Sequence, residues 1–134
     1  MPGRSPCRRV MQGTMTERRR AAFTRGLDAE AAAAALFEAQ GFEVVAKRVR
    51  TPRGEIDLIV LKEGLLVFVE VKARASLTVA AESILLRQRR RIAGAAEIFL
   101  ARNPAYDGFD MRLDVVLVAP GAAPMHLPGA FDAE

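Results

Sequence analysis

The sequence predicts an α/β domain built on a mixed sheet, and three observations predict it. An alanine-rich helix former opens the folded part of the chain, three runs of branched residues follow it, and a second helical stretch separates these from one more strand. The order helix, three strands, helix, strand is that of an α/β layer architecture. LDAEAAAAALFEAQ (27–40) is rich in the strongest helix formers, and Gly41 stands where a C-terminal cap belongs. FEVVAKRVR (42–50) has the branched residues and partial alternation of a strand, and TPRG (51–54) reads as a turn. Residues 55–62 and 65–74 then form a hairpin reversed at Glu63-Gly64. From Ala80 or Ala81 to Arg102, Ile84, Leu85, Ile92, Ala95, Ala96 and Phe99 make an apolar stripe at helical spacing. NPAYDG (103–108) is a loop and MRLDVVLV (111–118) the last strand.

At 134 residues the chain has the size of one domain. Residues 1–20 form a basic arm carrying Arg18, Arg19 and Arg20, with Met11 and Met15 as alternative starts; 21–118 form the domain. Residues 119–134 are a tail rich in Pro, Gly and Ala, expected to be loosely held, in which His126 has no evident partner. A hydrophobic fraction of 51% with 27% charged residues is that of a globular protein and excludes a disordered chain. No apolar run approaches the roughly 20 residues that span a bilayer. The basic N-terminus has no apolar stretch of the signal-peptide kind. A lone Cys7 excludes an intrachain disulfide and fits a reducing cytoplasm. The net charge of +4 suits a polyanionic partner. With 6% aromatic residues and no Trp, phosphate contact is favoured over base stacking.

The informative stretch is GEIDLIVLKEGLLVFVEVKAR (54–74), where charged residues interrupt an apolar hairpin. With a two-residue turn at Glu63-Gly64, Lys62 pairs with Leu65, and counting back sets Asp57 opposite Glu70 and Glu55 opposite Lys72. Opposed residues share a face, so these four gather at one end of the face that also carries Ile59, Leu61, Leu66 and Phe68. Ile56, Leu58, Val60, Val67, Val69 and Val71 make the other face entirely apolar. Two carboxylates about 5 Å apart repel unless a cation lies between them. A hard ion such as Mg²⁺, bound by a few carboxylate oxygens and keeping its waters, relieves that repulsion. Lys72 stands ready to orient a water or to offset charge on a phosphate. One His and one Cys make no zinc site. The competing reading is a structural ion-pair cluster at a sheet edge.

An acid, a hairpin, then Glu-x-Lys resembles the PD-(D/E)xK nuclease core, and GEIDLIV followed by VFVEVKAR resembles the YraN-like family of small bacterial proteins. The likeness extends from about Gly26 to Val118. That family is similar to Holliday-junction resolvases, which implies a restriction-endonuclease-like three-layer fold, a mixed central sheet flanked by helices. By that resemblance Asp57 and Glu70 are the metal-binding carboxylates, joined by the Val71 carbonyl, and Lys72 is the base-like catalytic residue. Glu30, on the helix face of Ala33, Ala34 and Phe37, completes the site, and Glu55 supports it. Gln88 stands where many relatives have Lys; it, Arg74, Arg87 and Arg91 are the candidates for holding a phosphate. Arg89, Arg90, Lys47, Arg48, Arg50 and Arg53 extend the basic rim, and Arg112 with Asp114 reads as a structural pair. The implied function is a Mg²⁺- or Mn²⁺-dependent endonuclease on branched or duplex DNA. The need to cut two strands makes a homodimer an expectation. The alternative is a module that keeps the nuclease fold and binds DNA or protein without cutting.

Overall fold

The structure, a computed structural model, describes residues 28–84 and 86–130, with the side chains of Leu86 and Arg87 excepted. The basic arm with Cys7, and Arg87 as a phosphate contact, therefore lie outside the described residues. Helix α1 runs over residues 28–39 and buries Ala29, Ala33, Ala34 and Phe37 along one face. It ends as the glycine predicts: Gly41 takes φ +92°, and the Phe42 amide reaches back to the Phe37 carbonyl at 3.0 Å. Lys62 Nζ donates to the Gln40 carbonyl at 2.7 Å and adds a cation at the helix C-terminus.

Strands β1 (Glu43–Thr51), β2 (Gly54–Lys62) and β3 (Leu65–Ala73) form an antiparallel meander. Strand β4 (Asp110–Val118) runs parallel to β3, and β5 (Met125–Leu127) is antiparallel to β4, giving the sheet order β1-β2-β3-β4-β5. Between β3 and β4 the chain passes through α2 (Leu77–Glu82) and α3 (Leu86–Arg102). The two apolar clusters lie on opposite faces of this mixed sheet. Phe37 and Phe42 pack over Leu58, Val60, Val67, Val69 and Val116 on the α1 side. On the other side Ile92, Ala95, Ala96 and Phe99 of α3 cover Ile59, Leu66, Phe68, Val115 and Leu117. Ile56 is fully buried with this second group, although alternation assigns it to the α1 face. It lies beyond the last β2–β3 pair, where β3 no longer holds the β2 pleat.

Two expectations need correction. The long second helix is divided: Ser76 caps α2 by accepting the Val79 amide at 3.1 Å. The Ser83 hydroxyl then bonds the Ala80 carbonyl at 2.7 Å and closes it. Serine competes for the backbone in this way at helix ends, and an apolar stripe carries no sign of it. The segment after Ala119 is not loosely held over its described part. Residues 125–127 form β5, and His126 Nε2 lies 2.7 Å from Asp114 Oδ2 while its ring packs edge-on against Phe37. Asp114 is fully buried and also accepts both Arg112 contacts at 2.8 Å and the Gly129 amide at 2.8 Å. The Arg112–Asp114 pair is thus present, and it is the centre of an anchor for the C-terminal strand.

Candidate active site at the open end of the hairpin

Glu63 (φ +50°) and Gly64 (φ +82°) make the two-residue reversal whose backbone twist suits a hairpin. It sets Lys62↔Leu65, Leu61↔Leu66, Val60↔Val67, Ile59↔Phe68 and Leu58↔Val69, the register deduced by counting. The ladder stops there: the expected Asp57↔Glu70 and Glu55↔Lys72 pairs do not form, and Glu55 pairs with Arg50 of β1 instead. There Asp57 Oδ2 accepts the Val71 amide at 2.8 Å, so a side chain replaces a strand partner. The strands open at the place where Asp57 and Glu70 lie side by side.

The opening is a cavity of about 270 Å³ lined by Glu55, Asp57 and Glu70 from the hairpin and by Gln88, Arg91 and Ile92 from α3. Both carboxylates are half-buried. Burial first, and then the Glu70 charge, push the Asp57 carboxyl up to about 7, while its bond from the Val71 amide acts the other way. Lys72 is only 4% exposed, and its Nζ lies 3.3 Å from Glu70 Oε2. An ammonium taken out of water beside a carboxylate is poised for charge stabilisation rather than for solubility.

The other candidates are spread around this centre. Glu30 does not line the cavity; its Oε1 accepts from Arg48 Nε at 2.9 Å. Glu55 does line it and has a long contact of 3.4 Å to Arg50. Arg74 turns its guanidinium onto the Ala73 carbonyl at 2.8 Å and is not among the lining residues. Gln88 and Arg91 line the cavity from α3.

Two glycines seat arginines at the rim, a feature the sequence reading passed over. A Cβ on Gly54 would fall 2.5 Å from Arg91 Cγ, and one on Gly94 would fall 2.5 Å from Arg53 Cζ. The turn before β2 and helix α3 are thus interlocked, each glycine receiving an arginine from the other. Gly54 also takes φ +148°, which L side chains rarely adopt. Gly54→Ala is expected to lower the melting temperature by roughly 5–10 °C through strain and displaced Arg91. Gly94→Ala should leave it within a few degrees, because only the far end of an exposed Arg53 must shift. Thermal melts of the two variants check this.

Oxygen donors dominate the cavity. Among the described residues no group of three acidic, His or Cys side chains closes into a cage for a metal ion. The Asp57 and Glu70 carboxylates, with Glu55 also at the cavity wall, nevertheless fit Mg²⁺ or Mn²⁺, which keep several waters and favour hard donors.

The sequence matches the group described as Uncharacterised protein family UPF0102 over residues 29–118. It is 53% identical over 120 residues to the UPF0102 protein BRADO0179 of Bradyrhizobium sp. (strain ORS 278), covering 90% of this chain and 85% of that one. It is 52% identical over 117 residues to a UPF0102 protein of Azorhizobium caulinodans, covering 87% and 89%. A UPF0102 protein of Rhodopseudomonas palustris (strain BisB18) is 52% identical over 113 residues, 84% of each chain. The matched span holds the hairpin, the cavity and both helices that flank the sheet, and the chain belongs to the UPF0102 family.

Proposed function

We propose that this protein is a metal-dependent endonuclease that hydrolyses DNA phosphodiester bonds, on a restriction-endonuclease-like fold. The observation that carries the reading is the convergence of Asp57 and Glu70 at the open end of the hairpin, with buried Lys72 two residues on. Asp57 and Glu70 would hold Mg²⁺ or Mn²⁺, with the Val71 carbonyl beside them. When bound, the ion supplies charge neutralisation at the phosphate and a water of lowered pKa. Lys72 orients the attacking water and offsets the negative charge that grows on the phosphoryl oxygens. Gln88 and Arg91 hold the phosphate from α3, and Glu55 fixes the edge of the cavity. The exposed rim of Arg50, Arg53 and Arg90 follows the phosphate backbone.

Branched DNA is the substrate class that the PD-(D/E)xK resemblance favours, and paired cuts would call for a homodimer. The contact of Lys72 with Glu70 also suits a second reading, a module that binds DNA with its acids neutralised from within. Labelled four-way junction, flap, single-stranded and linear duplex DNA, each incubated in Mg²⁺, Mn²⁺ and EDTA, separate the two. Cutting that chelation stops supports the nuclease and ranks its substrates. Binding with no cutting of any form in either metal supports the module.

A further inference from the structure

Arg48 and Glu63 are the non-glycine residues with positive φ among the described residues. Glu63 sits in a turn that requires it, whereas Arg48, at φ +53°, lies within β1. Its neighbours Lys47 and Val49 keep their partners Leu58 and Ile56, so the strand continues through the irregularity. Left-handed backbone is disfavoured for a residue with a Cβ, and it persists where surrounding contacts hold it. One contact that does so is the 2.9 Å bond from Arg48 Nε to Glu30 Oε1. The guanidinium also feels the charges of Glu55 and Asp57, and the Glu30 charge reaches Asp57 as well. Glu30 is therefore close to the acidic cavity, yet it is turned to Arg48 and does not line it. Both members of the pair can be reached from solvent, with side chains 40% and 21% exposed.

Building on the nuclease reading, we propose that Arg48 is a positioning residue that keeps Glu30 out of the metal site until a DNA phosphate takes its guanidinium. A planar guanidinium matches a phosphate in two parallel hydrogen bonds, so a backbone phosphate is a strong competitor for the Glu30 carboxylate. Once Arg48 turns to the phosphate, Glu30 is an acid without its counter-charge near the acids of the cavity. It then has every electrostatic reason to join them on a divalent ion. Metal affinity and DNA affinity would be linked through this pair, and the linkage acts equally in both directions.

The test is calorimetric titration of the full-length protein with Ca²⁺, a hard oxygen-seeking cation, alone and with a saturating short DNA duplex, after subtracting Ca²⁺ binding to the duplex. For the wild type, duplex should tighten Ca²⁺ binding by about 10-fold, within the usual range of such couplings. Arg48→Ala should bind Ca²⁺ several-fold more tightly than wild type without DNA, and duplex should then change this less than about twofold. Glu30→Gln should bind as weakly as DNA-free wild type whether or not duplex is present. Arg48→Gly keeps the left-handed backbone without strain and should repeat the alanine result, which guards against a folding effect. The salt dependence of duplex binding should also flatten by about one phosphate contact in both Arg48 variants. Wild-type coupling retained in the Arg48 variants, or no coupling in the wild type, overturns the proposal. Asp57→Asn separates the two levels. If that variant binds Ca²⁺ like the wild type, the metal site itself is wrong. If it loses Ca²⁺ while the Arg48 variants stay coupled, only the role of Arg48 is wrong.

Discussion

Asp57→Asn is expected to raise the melting temperature at pH 8 while removing the response to divalent ions. In the folded state burial and then Glu70 lift the Asp57 carboxyl from 3.8 to about 7. Between those values the folded chain keeps a proton that the unfolded chain has released, so stability falls as pH rises through this window. The cost is complete above about pH 7 and vanishes near pH 4. A shift of this size corresponds to about 4 kcal/mol at most, and partial exposure of the group brings it to roughly 2–4 kcal/mol. Asparagine carries no charge, and its Oδ1 can still accept the Val71 amide. The gain should therefore be roughly 5–15 °C at pH 8, shrinking to nothing by pH 4. In Mn²⁺ the wild type should gain about 2.7 kcal/mol at a hundredfold excess over Kd, and the variant should gain nothing. Calorimetric melts of both proteins from pH 4 to 8, with and without Mn²⁺, measure all of this. A variant that melts lower than wild type at pH 8 would show that Asp57 is a structural acid.

Asp114→Ala carries the largest expected loss of stability. Burial alone would lift this carboxyl, but the bonds from Arg112, Gly129 and His126 hold it below its ordinary range. Its contribution is therefore present above pH 3.8 and is lost as acid carries the solution through the lower folded value. Removing a buried acid takes away the carboxylate shared by Arg112, His126 and the Gly129 amide, a change that typically costs about 3–5 kcal/mol. A fall of roughly 10–20 °C in melting temperature at pH 7 is expected. Hydrogen exchange should show faster opening of residues 125–127 than of β2 and β3. His126→Ala, which leaves the Arg112 and Gly129 bonds in place, should lose less than half as much.

The parts legible in the sequence are those set by local chemistry. The turn at Glu63-Gly64 fixes the β2–β3 register, which carries Asp57 and Glu70 to the same end of the hairpin. Gly41 fixes the end of α1 in the same way. Features resting on contacts distant in sequence were not legible. His126 meets Asp114 and Phe37 only because β5 folds back along β4, and no local pattern announces a three-residue edge strand. The position of Glu30 depends on Arg48, 18 residues away, in a backbone conformation that arginine gives no reason to expect. Gly54 reads as a turn residue, and Gly94 carries no local signal. Their role emerges only when the turn before β2 packs on α3 and each makes room for an arginine of the other.

The central claim is tested most directly by the single-turnover rate at which the DNA form cut best by the wild type is cleaved in Mn²⁺, measured for wild type, Asp57→Asn and Lys72→Ala. Both variants should bind the DNA and cut it at least about 10²-fold more slowly, with EDTA abolishing the wild-type rate. Undiminished cutting by either variant, or a wild-type rate indifferent to chelation, would contradict the account.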